Sequence, residues 1–531
     1  MLRVNELRLP IEHNEADIKK KIKRLLNTDV PFEYEIVRRS LDSRKKNELI
    51  FSYVVDISIP NEEKILKRAD KKVTRYKPII YSFPFKADSI NENDRPVIIG
   101  MGPAGLFAGL YLARNGYRPI IFERGKDVDK RTDDVETFFK TGVLDTESNV
   151  QFGEGGAGAF SDGKLNTLVK ERSGRNRAVL RDFVNAGALS DIMYDAKPHI
   201  GTDILKTVIK NIRNEIIKLG GEVHFESRMS DIYLDDKNTV SGIRINDSYD
   251  VKCSRLILAI GHSARDTFFR LKELSMNIEP KPFAVGLRVS HDARLINNYA
   301  YGASFNEKLG NYSYKVTHTC SDGRGVYSFC MCPGGYVLNA SSEKGMLAVN
   351  GMSYSKRDSS KSNSAIILTV KPEDFVKDDD PLSGIYFQRE LERKAYEAGH
   401  SKIPVETYGE FKNEKLDEDI KIDSLTCGEV SHGAVHEILP KGFNEDFVEG
   451  MEAFGKIIKG FDSDDTVLYG VESRTSCPVK LLRDENGMSS LGNVYVSGEG
   501  AGYAGGIMSA AMDGILIAEK VAEAINNGKS Q

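Results

Sequence analysis

Three glycine-rich stretches carry most of the chemistry this sequence offers. The first is Gly100-Met101-Gly102-Pro103-Ala104-Gly105, a GxGxxG string. Such a string alone says little; its surroundings decide. Residues 97–100 read as a short apolar strand. Residues 103–115 read as a helix with proline at its first position, where the missing N–H costs nothing. Residues 117–123 read as a second strand, and Glu123 stands 21 residues past Gly102, the spacing of an acid that takes ribose hydroxyls. Gly100 allows the tight turn, Gly102 lets backbone approach a pyrophosphate, and Gly105 lets helix and strand pack closely. The helix start adds free N–H groups and about half a positive charge for phosphate. The chemistry is dinucleotide binding, with Pro103, Ala104 and Arg124 beside the glycines as further contacts.

The second stretch places five glycines within residues 153–163, including Gly155, Gly156 and Gly158, so backbone can come close to something flat or anionic. The third begins with a buried strand, 494–498. It continues through Gly498, Glu499, Gly505 and Gly506 into a helix opening at Ile507. An acid after a strand, then a glycine-rich helix start, suits a polyol chain and a second anionic group. Between them, residues 256–261 read as a buried strand whose small end, Ala259 to Gly261, passes under a cofactor; Met229 is a further candidate contact. Motifs that bracket the chain in this way match the layout of FAD enzymes, with one discontinuous Rossmann-like domain and a substrate domain inserted into it. No second GxGxxG follows an apolar strand, so NAD(P)H is left as a transient electron donor without a domain of its own.

Four residues are candidates for catalysis. Lys164 could set a cation beside the flavin N1–C2=O edge, where negative charge grows on reduction, or simply be solvated. Cys330 and Cys332 form a CxC pair that shares one strand face and could exchange electrons with flavin, although its ring is strained; small buried hydrophobes are the other reading. Arg474 could hold an anionic substrate or make a structural ion pair. His432 and His436 have no third ligand nearby, so no metal is expected. No GxSxG elbow or P-loop lysine supports a hydrolase or ATPase.

These residues need several domains to position them. The 531 residues exceed one compact core, and their 40% hydrophobic and 29% charged content is that of a globular chain. Residues 1–90 carry a net +6 and the remainder a net −10, which marks off an N-terminal module. In that module, strands at 3–9, 33–41 and 48–59 and helices at 15–26 and 62–72 are expected. The 18 uncharged residues 96–113 are long enough for a membrane span, but they hold Gly100, Gly102, Pro103, Gly105 and Gly109, and the strand–helix reading is preferred. Six cysteines, four of them scattered beside the CxC pair, make no disulfide framework, and with a charged N-terminus they predict a reducing, cytoplasmic setting without a signal peptide. Five bases within residues 38–46 could meet RNA or only water.

Long, idiosyncratic strings carry a family resemblance over the whole chain: NVQFGEGGAGAFSDGKL (149–165), KPFAVGLRV (281–289), VYSFCMCPGG (326–335), NGMSYSKRD (350–358), SGIYFQRELERKAYEAG (383–399), GVESRTSCPVK (470–480) and SGEGAGYAGGIMSAAMDG (497–514). With these the chain resembles the uncharacterised FAD-dependent dehydrogenases of bacteria. The resemblance implies FAD and a flavoprotein oxidoreductase, and no particular substrate. Cys477 stands where relatives are expected to have serine, which argues against a thiol role there. The expected fold is α/β: a small N-terminal α+β module (1–90), a discontinuous Rossmann-like FAD-binding domain (93–282 plus 464–531) and an inserted α+β substrate domain (283–463). The expected function is hydride transfer between flavin and a small molecule. The alternatives are an RNA-modifying or RNA-binding flavoprotein and a protein whose FAD is structural or regulatory.

Overall fold

A computed structural model describes residues 1–46, 48–302, 309–417 and 419–528; the last three residues of the expected 464–531 segment lie outside it. The architecture is α/β, with a parallel sheet at its centre. That sheet has five short strands in the order Val494–Val496, Leu256–Leu258, Val97–Ile99, Ile120–Phe122, Glu222–His224. Each neighbouring pair is parallel. The first three strands are apolar at every position because both sheet faces are covered. On one face lie the helices Pro103–Arg114, Thr202–Lys218 and Ile507–Gly528. On the other lies an antiparallel meander, Met229–Leu234, Val240–Ile245 and Tyr249–Lys252.

Two glycines make the helix layer close enough to work. A Cβ on Gly105 would sit 1.9 Å from the Gly100 carbonyl oxygen, and one on Gly514 would sit 2.1 Å from that of Ala104. The strand-to-helix turn and the last helix thus pack backbone against backbone. Thr202 is the first residue of its helix, with Gly201 at the cap. The Thr202 hydroxyl donates to the carbonyls of Ala159 and Ser161, tying the helix start to the glycine-rich loop.

A second, seven-stranded sheet has the order Thr317–Thr319, Gly325–Cys332, Lys361–Val370, Phe283–Asp292, Val467–Glu472, Ile403–Thr407, Val430–His432. Helices Ser383–Ala398 and Lys441–Ile457 pack on it over a core that includes Phe447, Phe454 and Tyr469. Val467–Glu472 was expected on the FAD side of the boundary at 464. It pairs instead with Phe283–Asp292, inside this sheet, where all six of its residues are buried and Glu472 meets Arg288.

Residues 2–75 build a four-stranded antiparallel sheet around the amphipathic helix Glu15–Leu26, which opens on an Asn14–Asp17 capping box. The expected helix over 62–72 is shorter, Glu62–Leu66. The chain leaves it to hand the Asp70 amide to the Leu25 carbonyl. The module docks through its basic hairpin, with Arg39 on Asp195 at 2.7 Å and the Arg39 amide on the Tyr194 carbonyl at 2.6 Å. No helix among the described residues is long and apolar enough to cross a membrane.

Candidate functional site

The three central strands of the parallel sheet end side by side, and the loops that leave them enclose a cavity of about 340 Å³. Ligands of open parallel sheets bind at this end, past the carboxyl ends of the strands. The cavity brings together residues far apart in sequence: Gly100, Gly102, Pro103 and Ala104; Glu123 and Arg124; Gly156 and Gly158; Met229; Ala259 and Gly261; Glu499, Gly505, Gly506 and Ile507. Gly105, Gly155 and Gly498 do not line it. Gly105 serves helix packing, and a Cβ on Gly155 would strike the Ile209 side chain at 2.4 Å. Gly498 has φ 80° and gives its amide to Asp513.

The shape of the wall fits an FAD. Where a Cβ would stand on Gly261, Gly505 or Gly506 there is nothing within 4 Å, and on Gly102 the nearest atom is 3.8 Å away. These are bare backbone positions facing the cavity, two of them at the start of a long helix, where N–H groups lack intrahelical partners. His262 lines the same space. Its Nδ1 is 3.1 Å from Glu499 Oε1, and its buried Nε2 has no protein partner.

Glu123 is buried and accepts three backbone N–H bonds, from Met101 at 2.7 Å, Gly125 at 3.0 Å and Gly153 at 2.9 Å. It therefore fixes the first glycine turn against the second glycine-rich loop while bordering the cavity. A carboxylate has about four acceptor positions, so room for a hydroxyl remains.

Arg131 carries no signal in the sequence. This side chain is wholly buried in the helix Val128–Thr141 and donates to the carbonyls of Asn149, Val150, Gly153, Glu154 and Gly156. One guanidinium thus holds the whole 149–156 loop. Burial lowers its pKa to about 10, which leaves it charged at neutral pH. Nothing local distinguishes it from any other helical arginine; only the fan of carbonyls does.

The far wall of the cavity comes from the loop after the glycines (Asp162, Lys164), the seven-stranded sheet (Phe329, Cys330) and the strand Val349–Met352 of a smaller, three-stranded sheet (Asn350). Lys164 Nζ lies 2.9 Å from Asp162 Oδ2. Asp162 also receives Arg357 and the Ser353 hydroxyl. Its carboxyl is buried, which alone would raise its pKa, but Lys164 and Arg357 prevail and bring it down to about 2. Since the folded pKa is the lower one, the group contributes stability above its unfolded pKa of about 3.9. That contribution is lost as pH falls through about 2. Asp162→Asn is expected to lower stability by about 2–3 kcal/mol at neutral pH. In urea unfolding followed over pH, the gap to the parent protein narrows as the medium is acidified from about pH 5; a gap independent of pH would contradict this account.

Arg474 borders the cavity, but its guanidinium is spent on a buried ion pair. It donates to Glu392 at 2.9 and 3.0 Å and reaches the Ser263 and Ser342 hydroxyls. Cys332 is fully buried and does not line the cavity, whereas Cys330 does. His432 and His436 sit on separate elements and pair with different acids, Glu410 at 2.9 Å and Glu406 at 2.6 Å. Among the five bases of 38–46, Arg39 holds Asp195, Arg44 holds Asp42, Lys45 faces Glu48 at 3.6 Å and Lys46 lies over the Tyr299 ring.

Residues 282–475 match the family described as "FAD-dependent protein, C-terminal domain-like", and residues 1–58 match a domain of unknown function. A Clostridium beijerinckii protein named only as uncharacterized is 44% identical over 533 residues, which cover 98% of each chain. Among solved structures, the chain is similar to a glycerol-3-phosphate dehydrogenase from Bacillus halodurans complexed with FAD. That match has 10% identity and TM-score 0.37, covering 83% of this chain and 66% of that one. It is also similar to the halogenase PltM in complex with FAD, at 10% identity and TM-score 0.38 over 82% and 70% of the two chains.

Proposed function

The chain belongs to this family of FAD-dependent proteins, with FAD as its cofactor, and from that premise we propose that it is an oxidoreductase acting on a small molecule held against the Lys164–Cys330 wall. The observation that carries the reading is the single cavity that joins the glycine turns to that wall. Gly102 and Pro103, at one helix start, and Gly505 to Ile507, at another, would hold the diphosphate; Glu123 would take the ribose, and Glu499 with His262 the polyol. The flavin, when bound, supplies reversible two-electron hydride transfer.

The protein's own share is placement and charge. Burial lowers the Lys164 pKa, but Asp162 outweighs it and holds the ammonium charged and directed. Lys164 then offers a cation where negative charge develops. Met229, Ile260 and Phe329 add apolar side chains to the lining of the same cavity. With four of the five hairpin bases already engaged within the chain, no observation favours the RNA reading.

Gly102→Val tests the reading. The backbone there has φ −71°, which any residue adopts, and the space beside it is open. The variant is expected to fold with an unchanged unfolding midpoint and to lose FAD affinity at least about a hundredfold, read by flavin fluorescence on titration. Retention of FAD at the parent level would remove the cavity from consideration as its site.

A further inference from the structure

Cys330 leaves the regular path of the strand that carries it. Gly325–Cys332 pairs with Lys361–Val370 regularly as far as Phe329 opposite Ala365; the register then slips, and Cys332 meets Asn363. One extra residue therefore bulges out of the ladder. Cys330 takes φ 42°, in the left-handed region that a side chain other than glycine's rarely adopts, at a cost on the order of 1 kcal/mol or more. Bulges beside active sites re-aim a side chain. Here the result is a thiol in the cavity wall.

The surroundings of that thiol differ from those of the other cysteines. Cys253 and Cys477 are packed in apolar groups, and burial pushes both thiols up to about 12. Cys330 instead has two cations near it, the buried Arg288 and the half-buried Lys164. Arg288, wholly buried and paired with Glu472 at 2.8 Å, donates to the Cys330 carbonyl at 3.3 Å and comes within 3.9 Å of Cys332 Sγ. Lys164 shares the cavity wall. A hydrogen bond from Cys332, together with Lys164 and Arg288, holds the Cys330 thiol below its ordinary range, while Cys330 and burial push the Cys332 thiol up. Cys332 Sγ donates to the Cys330 carbonyl at 3.2 Å, so the bulge has folded the two residues together. A half-buried thiol on the cavity wall beside cations, with a fully buried thiol behind it, is the arrangement of an attacking and a resolving cysteine.

Resting on the FAD reading of this cavity, we propose that Cys330 and Cys332 are a redox-active pair that takes electrons from the reduced flavin and passes them to a disulfide substrate. Cys330 attacks the substrate disulfide R–S–S–R; a Cys330–S–S–R bond forms and RS⁻ leaves. Cys332 then attacks Cys330 Sγ, gives its proton to the departing RS⁻ and closes the intramolecular disulfide. That disulfide takes two electrons and one proton from the reduced flavin. Its S–S bond breaks, Cys330 leaves as thiolate opposite Lys164 and Arg288, and Cys332 keeps the proton. Reduced flavin plus R–S–S–R thus gives oxidised flavin, RSH and RS⁻.

Anaerobic dithionite titration of the FAD-loaded full chain, after mild oxidation, tests the pair. The parent protein is expected to consume about twice the dithionite per flavin that Cys330→Ser and Cys332→Ser consume, since the pair adds a second two-electron couple. Dithiobis-nitrobenzoate, added to the photoreduced protein, is expected to reoxidise the flavin in the parent. It is expected to be trapped covalently on Cys330 in Cys332→Ser, seen by mass spectrometry, and to do neither in Cys330→Ser. Equal dithionite consumption by parent and variants, with FAD bound and reducible, overturns the thiol pair alone. A chain that takes up no FAD overturns the cavity reading and this inference with it.

Discussion

Arg131→Met is expected to abolish FAD retention and to lower the stability of the FAD-binding region by about 3–5 kcal/mol. The side chain has no exposed surface, and its five hydrogen bonds all end on carbonyls of residues 149–156. Methionine fills much of the volume and satisfies none of them. A buried acceptor left without its donor costs about 1–3 kcal/mol, so losing two or three of the five already reaches the stated range. The loop then loses its shape, and with it the Gly153 amide that Glu123 accepts and the bare backbone of Gly156 that borders the cavity. Lysine is not expected to rescue the variant, because a point ammonium has three donors and lacks the planar fork that spans Asn149 and Gly156. Urea unfolding and the flavin remaining after gel filtration measure the two effects. Full flavin occupancy with an unchanged midpoint would show the loop to be held by something else.

This arginine marks where reading the sequence stops. The βαβ unit from Val97 to Glu123 was legible because its information is local: glycines, a proline and an acid at fixed spacing, within about thirty residues. The last strand and helix were legible for the same reason. Arg131 was not, because its partners lie 18 to 25 residues on, in a loop whose shape the arginine itself sets. The seven-stranded sheet was legible only as mixed strands and helices. Its central strands, Phe283–Asp292 and Lys361–Val370, are buried almost throughout, so they carry no alternation from which to read a face or a neighbour. Val467–Glu472 was assigned to the wrong side of a boundary for that reason.

The CxC pair shows the same limit at the scale of one residue. In a regular strand the two cysteines would share a face, as the spacing predicts. The structure keeps them adjacent by a different device, a bulge with one left-handed residue, and so gives one thiol to the cavity and the other to the core. Arg474 reverses the relation. Its sequence setting allowed a substrate anion, but Glu392, more than eighty residues earlier on the helix Ser383–Ala398, has already claimed it.

Glu392→Gln is the second large effect expected. Glu392 is fully buried and receives two guanidinium groups side-on: Arg265 at 2.8 Å to each oxygen, and Arg474 at 3.0 and 2.9 Å. The Ser473 hydroxyl adds a fifth bond at 2.6 Å. Arg265 belongs to the helix Arg265–Glu273 beside the parallel sheet, so this carboxylate joins the two sheets' layers. An ion pair of this kind is weak evidence of net stability, because desolvating the charges cancels much of their attraction; removing one partner is a different matter. Glutamine keeps the shape but leaves two buried cations with only Glu343 between them, at a cost of about 3–5 kcal/mol. The triple variant Arg265→Met, Glu392→Leu, Arg474→Met is therefore expected to be more stable than Glu392→Gln alone, although it departs further from the parent. Both arginines hold the Glu392 carboxyl well below the usual carboxylate range. It is ionised in folded and unfolded chains alike above about pH 5, so the deficit of Glu392→Gln stays level from there to about pH 8 and shrinks only in acid. Urea unfolding of the three proteins at several pH values reads both expectations. A triple variant less stable than the single one would mean that the charges themselves, and not the stranded cations, set the cost.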